Sequence, residues 1–119
     1  MEPLLRDTYV EINLDNIAYN MRKIKETVGG YVAIAAVVKA NGYGHGAVNG
    51  GDYLAVATLT EALELRRYHP DYKIFIMGYT PDEYLEYVVK NNITQTIFSL
   101  RQAKILNEWG IKYNKRPVV

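Results

Sequence analysis

The sequence predicts an α/β fold of the (β/α)8 barrel type, of which its 119 residues hold only the first half. Three observations carry this expectation. Strand-like apolar runs alternate with amphipathic helical stretches along the chain. Units beginning near Tyr53, Lys73 and Thr94 repeat at about twenty residues, with strand, cap, helix and breaker in the same order. The run Val32 to Val38 is apolar throughout, which suits a parallel strand covered on both faces better than a half-wet one.

Taken in order, Thr8 to Ile12 alternates in polarity and reads as a short strand. Asn13 caps a helix with Asp15 in its first turn, and Leu14, Ile17, Met21, Ile24 and Val28 form one apolar stripe before Gly29-Gly30 ends it. After Val32–Val38 comes a strand at Tyr53–Ala57. Thr58 and Glu61 then make a capping box for a helix over Leu59–Tyr68, which His69-Pro70 stops. Ile74–Met77 is the next strand, and Gly78 turns it. Thr80-Pro81-Asp82-Glu83 reads as a second capping box, for a helix reaching Lys90 with Tyr84, Leu85 and Val88 inward. A strand at Thr94–Phe98 is followed by a third box, Ser99 with Gln102, and a helix that Gly110 closes. Pro117-Val118-Val119 reads as the start of a fifth strand.

Composition excludes several classes of function. Fourteen basic and thirteen acidic residues leave a net charge of +1 with no basic stripe, so no nucleic-acid partner is expected. No apolar stretch approaches membrane-spanning length. With no cysteine there are no disulfides or thiolate metal sites, and His69 has no second ligand at metal-binding spacing, so no metal is expected. The first residues lack a basic segment followed by an apolar core, so no secretory signal is read and the cytoplasm is the expected compartment.

Chemistry concentrates in one place. Lys39 follows the last Val of the apolar strand directly, and Gly42, Gly44 and Gly46 open a loop behind it. An amine is thereby set at the C-terminal edge of a parallel sheet, where ligands bind. Two readings stand. Partial desolvation frees such an amine as a nucleophile for Schiff-base chemistry, whereas many strand-end lysines only carry their charge into water along an aliphatic stem. The Gly-x-Gly-x-Gly loop is similarly divided between a phosphate cradle and a shaped turn.

The segment Ala36-Val37-Val38-Lys39-Ala40-Asn41-Gly42-Tyr43-Gly44-His45-Gly46 resembles the pyridoxal-phosphate attachment motif of alanine racemases. The resemblance implies a (β/α)8 TIM-barrel domain followed by a separate β-rich C-terminal domain, with residues 1–119 the N-terminal part of the barrel and the second domain absent. It also implies that Lys39 carries pyridoxal 5'-phosphate covalently and moves the substrate proton, and that Tyr43 reaches the cofactor phosphate. Val37 and Met77 are cofactor-binding candidates, although packing in the barrel interior describes both as well. His45 belongs to the motif and is read as a hydrogen-bond partner within the loop. The implied activity interconverts L- and D-alanine, supplying D-alanine for peptidoglycan, in a homodimer.

Two departures qualify this. Only Ala47 to Asp52 separate Gly46 from Tyr53, whereas a right-handed crossover between parallel strands takes a dozen or more residues and usually a helix. Relative to the family pattern that the resemblance implies, about two turns of helix, at roughly 3.6 residues per turn, look excised. A deletion, residues left out of the sequence or a direct Gly-rich crossover would each account for it, with missing residues favoured. The sequence also ends before the ring-controlling arginine, most of the phosphate pocket and the opposite-face tyrosine that the resemblance implies. Little or no racemase activity is therefore expected of these residues alone. The rival readings are a pyridoxal-phosphate-dependent amino-acid decarboxylase on the same barrel, and a non-catalytic half-barrel module that pairs with another copy.

Overall fold

The computed structural model describes residues 8–46 and 51–119. Four strands form one sheet in chain order: β1 (Ala35–Val37), β2 (Tyr53–Val56), β3 (Lys73–Ile76) and β4 (Thr94–Gln95). Every neighbouring pair is parallel. The helices are α1 (Leu14–Val28), α2 (Lys39–Tyr43), α3 (Leu59–Tyr68), α4 (Leu85–Lys90), entered through a 3-10 turn at Asp82–Tyr84, and α5 (Leu100–Tyr113). The strand–helix alternation in chain order is that of the first part of a (β/α)8 barrel.

Register decides which side chains meet. Ala36, Leu54 and Ile74 stand in one row and Val56, Ile76 and Gln95 in the next, all on the same face because side chains alternate along a strand. That face holds the core. Leu54, Val56, Ile74 and Ile76 pack with Ala62 of α3, Leu85 and Val88 of α4 and Leu106 of α5. The other face carries the row Val37, Ala55, Phe75 and Thr94. None of these four belongs to the core cluster, and Val37 is 48% exposed. In a closed barrel this second face is the interior.

Two polar devices brace the core. Thr80, Gln95 and Gln102 are buried, yet each is satisfied: the Thr80 hydroxyl donates to Gln95 Oε1 at 2.7 Å and Gln102 Nε2 donates to the Thr80 carbonyl at 2.9 Å. At the opposite end of the sheet Arg66 donates to the carbonyls of His69, Pro70, Tyr72, Asn91 and Asn92, joining the ends of α3 and α4. Burial lowers the pKa of this guanidinium, Asp71 partly opposes that, and the group stays cationic. Arg66→Ala leaves five carbonyls without their donor and is expected to destabilise by about 2–4 kcal/mol. Urea unfolding checks this, and a cost within about 0.5 kcal/mol would mean that water replaces the guanidinium freely.

The capping box of Thr58 and Glu61 and the bounds Leu59–Tyr68 agree with expectation, as do Asn13 capping α1 and Gly29 ending it. Several expectations are corrected. Thr8–Ile12 forms no strand. The run Val32–Val38 pairs only over Ala35–Val37, and as an edge strand with one neighbour it is exposed on alternate residues instead of covered on both faces. The second capping box does not form, because the Thr80 hydroxyl is taken by Gln95. Tyr84 lies 48% exposed, not inward. Helix α5 runs through Gly110 to Tyr113, and Asn114, with φ of 49°, ends it. Gly110 is needed for closeness: a Cβ there would lie 2.7 Å from Pro117 Cδ. β4 is two residues long, although the Thr96 amide still donates to the Ile76 carbonyl. Val118 forms no strand, yet its carbonyl accepts from the Gln95 amide at 3.1 Å. The connection read as too short for a helix falls partly on residues 47–50, outside the described residues.

Helix α1 keeps its apolar stripe in the open, with Leu14 58%, Ile24 49% and Val28 40% exposed and no residue buried. Asp52 ties it to the sheet, accepting from the Ile34 amide at 2.8 Å and from Lys25 Nζ at 3.2 Å. These two partners, the amide first, hold the Asp52 carboxyl below its ordinary range.

Candidate active site

β1 ends at Val37, and the Val38 amide extends the ladder by one bond to the Ala55 carbonyl at 2.8 Å. Lys39 comes next, half-buried, and the chain then turns the unusual way. Ala40, Asn41, Gly42 and Tyr43 have φ of 52°, 53°, 60° and 57°, so α2 is in substance a left-handed turn. The Gly42 amide closes it on the Val38 carbonyl at 2.8 Å. Left-handed helical backbone costs an L-residue about 1–2 kcal/mol, and three of these four carry a Cβ. Strain of this kind persists where surrounding bonds enforce it, which is most often at functional sites.

Ala40→Gly removes one such cost at the expense of a more flexible unfolded chain, for an expected net gain of about 0.5–1 kcal/mol. The urea midpoint measures it. A loss of stability would show that residue 40 leaves the left-handed region in solution.

The turn folds Lys39 Nζ back over the Tyr43 ring, 5.6 Å from its centroid. Among the described residues the amine makes no ion pair and no hydrogen bond. The tyrosine itself is 66% exposed. Val37 lies on the sheet face away from the core, and Met77 lies two residues beyond Phe75 on that same face, its amide bonded to the Val56 carbonyl at 2.9 Å. Met77 is half-buried. Val38, with ψ of 16°, leaves the extended conformation, so the alternation that places Val37 and Met77 on one face stops before Lys39, which follows at the C-terminal end of β1. Tyr43 reaches that end through the turn. His45 is exposed, and its backbone amide donates to the Gly42 carbonyl at 3.1 Å. His69 sits at the end of α3 with its ring edge-on to Tyr72, and no cluster of metal-ligating side chains exists among the described residues.

Sequence reading missed the reach of Glu61. Its Oε2 accepts from the amides of Ala57 at 2.9 Å and Thr58 at 3.0 Å, as a capping box requires, but Oε1 accepts from the Ala40 amide at 2.6 Å. Burial works to raise this carboxyl, and the N–H groups of Ala40, Ala57 and Thr58 together outweigh it, so the group is held below its ordinary range. The capping pattern announces one oxygen of Glu61; nothing in the local sequence announces a partner 21 residues earlier.

On the core side of β1 lies a groove of about 360 Å³ lined by Val38, Asn41, Val56, Glu61, Leu65 and Tyr68 among others. It flanks α3 over the seam of β1 and β2, where a helix linking those strands would pack.

A parallel sheet in chain order, flanked by helices and with Lys39 at the C-terminal end of its first strand, is the architecture of the first part of a (β/α) barrel. The chain belongs to the alanine racemase family, matching the family model "Alanine racemase, N-terminal domain" over residues 12–119. It is 46% identical over 123 aligned positions to Alanine racemase 2 of Caldanaerobacter subterraneus subsp. tengcongensis, which takes in 97% of this chain and 32% of that one. The structure of alanine racemase from Clostridium difficile 630 superposes with a TM-score of 0.84 at 39% identity, covering 97% of this chain and 33% of the other. A histidine racemase from Leuconostoc mesenteroides subsp. sake superposes with a TM-score of 0.73 at 25% identity, over 87% of this chain and 30% of that one. The chain thus spans about a third of the length of the relatives it matches. The Caldanaerobacter alignment also has about eight more positions than the roughly 115 residues of this chain within it. Eight residues are about two turns of helix.

Proposed function

We propose that this chain is the lysine-bearing barrel segment of a pyridoxal-phosphate-dependent alanine racemase, and that the residues missing from its alignment belong to the helix between β1 and β2. The observation that supports the reading is Lys39 itself: an amine with no ion-pair partner among the described residues, directly after β1 and folded back over the Tyr43 ring by a left-handed turn. The donor set suits the cofactor, since a free amine, a phenol and two apolar side chains match its aldehyde, phosphate and ring.

When bound, pyridoxal phosphate supplies a carbonyl for amine attachment and an electron sink for negative charge developing at the substrate Cα. Lys39 Nζ holds the group, and as a free amine it takes or returns the Cα proton on one face of the substrate. Tyr43 would hold the cofactor phosphate through its hydroxyl. Val37 and Met77 would offer apolar surface to the cofactor ring. Racemisation needs a proton carrier on each face, and the second comes from outside these 119 residues. A homodimer in the cytoplasm is part of the proposal; no helix of the described residues is long and apolar enough to cross a membrane.

Alanine as substrate rests on the relatives' names, because the histidine racemase shares the same segment. The test is to incubate the full-length protein containing this chain with L-alanine and pyridoxal phosphate in heavy water. D-alanine deuterated at Cα is expected; carbon dioxide release would favour decarboxylation, and turnover of histidine over alanine would reassign the substrate.

A further inference from the structure

A capping box needs a single carboxylate oxygen. Glu61 satisfies that need with Oε2, and its Oε1 accepts at 2.6 Å from the amide of Ala40, the residue directly after Lys39. On the other side of Lys39 the Val38 amide is fixed to the Ala55 carbonyl at 2.8 Å. The lysine backbone is therefore held between two bonds, one to β2 and one to α3. The second bond also starts the left-handed turn, where Ala40 has φ of 52° and ψ of 43°.

We propose that Glu61 is a positioning residue for Lys39, clamping the lysine turn to the N-terminus of α3 so that the amine is held at the C-terminal end of β1. The inference rests on the reading of Lys39 as the cofactor-bearing amine. Glu61 touches no reacting atom; it acts through the Ala40 amide. A carboxylate suits the place because both of its oxygens face N–H donors: Ala40 on one, Ala57 and Thr58 on the other. Glutamine has one acceptor oxygen. It can serve α3 or the lysine turn, and its amide N–H₂ then meets a donor at the other.

The test compares full-length wild-type protein with Glu61→Gln and with Thr58→Ala. Thr58→Ala removes the hydroxyl that accepts from the Glu61 amide at 3.3 Å and donates to Glu61 Oε2 at 3.2 Å, while leaving the Ala40 amide and Glu61 Oε1 in place. Each protein is mixed with pyridoxal phosphate, reduced with borohydride at timed intervals and peptide-mapped for cofactor on Lys39. Amide hydrogen exchange at Ala40 and thermal unfolding are read in parallel. Glu61→Gln is expected to slow labelling of Lys39 by about tenfold to a hundredfold, the scale of a small misplacement of a reacting group. Ala40 exchange should quicken in that variant only, with the unfolding temperature close to that of Thr58→Ala. Equal labelling in Glu61→Gln and wild type overturns the proposal, as does an equal loss in Thr58→Ala, which would mean that helix capping alone matters. Wild-type protein that places no cofactor on Lys39 sinks the cofactor reading instead. Ala40 exchange then decides the clamp by itself, and an amide equally fast with and without Glu61 overturns it.

Discussion

Lys39→Ala is expected to lower racemisation by the full-length protein at least about a thousandfold, since one residue both attaches the cofactor and moves a proton, each worth orders of magnitude. Borohydride reduction in the presence of pyridoxal phosphate should leave no label on the peptide carrying position 39. Lys39→Arg should fail equally, because a guanidinium keeps its charge but cannot act as a nucleophilic amine. Folding should barely change. The contact recorded for Lys39 Nζ among the described residues is the face of Tyr43, worth about 0.5–1 kcal/mol at an exposed site. Loss of chemistry without loss of stability is thus the signature expected of this position. Persistent turnover in Lys39→Ala, or labelling of another lysine at the wild-type rate, would remove Lys39 from the centre of the site.

Gly78→Ala should have the opposite signature. A Cβ on Gly78 would stand 2.2 Å from the Ala57 carbonyl oxygen and 3.3 Å from its carbon, both backbone atoms with no rotamer by which to move aside. The ends of β2 and β3 must separate to admit it. The expected cost is about 3–5 kcal/mol, at the high end for a single substitution, read as a fall in the urea midpoint or as failure to accumulate folded protein. The damage should extend to the lysine turn, because the displaced Ala57 also donates its amide to Glu61 at 2.9 Å. A cost below about 1 kcal/mol would show that these strand ends are loosely held.

Local signals read well where a residue's role depends on its neighbours in sequence. The box of Thr58 and Glu61, the stop at His69-Pro70 and the cap at Asn13 were all visible because each concerns an amide within one helical turn. Signals failed where a distant partner won. Thr80 looks like a helix cap from its own surroundings, but Gln95, 15 residues on, takes its hydroxyl. Gly110 looks like a helix end, but its missing side chain makes room for Pro117. The apolar run Val32–Val38 predicts a covered strand, and what it meets is a single neighbour. Within the site, Lys39 was legible as a charge breaking an apolar run. The left-handed backbone behind it was not, since Ala40 and Tyr43 are residue types that rarely adopt it.

The outermost strands, β1 and β4, are only three and two residues long. An unpaired strand edge is dangerous in proportion to the length of backbone it offers as a template, and these edges offer almost none. Fibrils should therefore nucleate poorly on this sheet even though Val37 on its edge strand lies half exposed. Association between molecules should run through side chains and reverse on dilution.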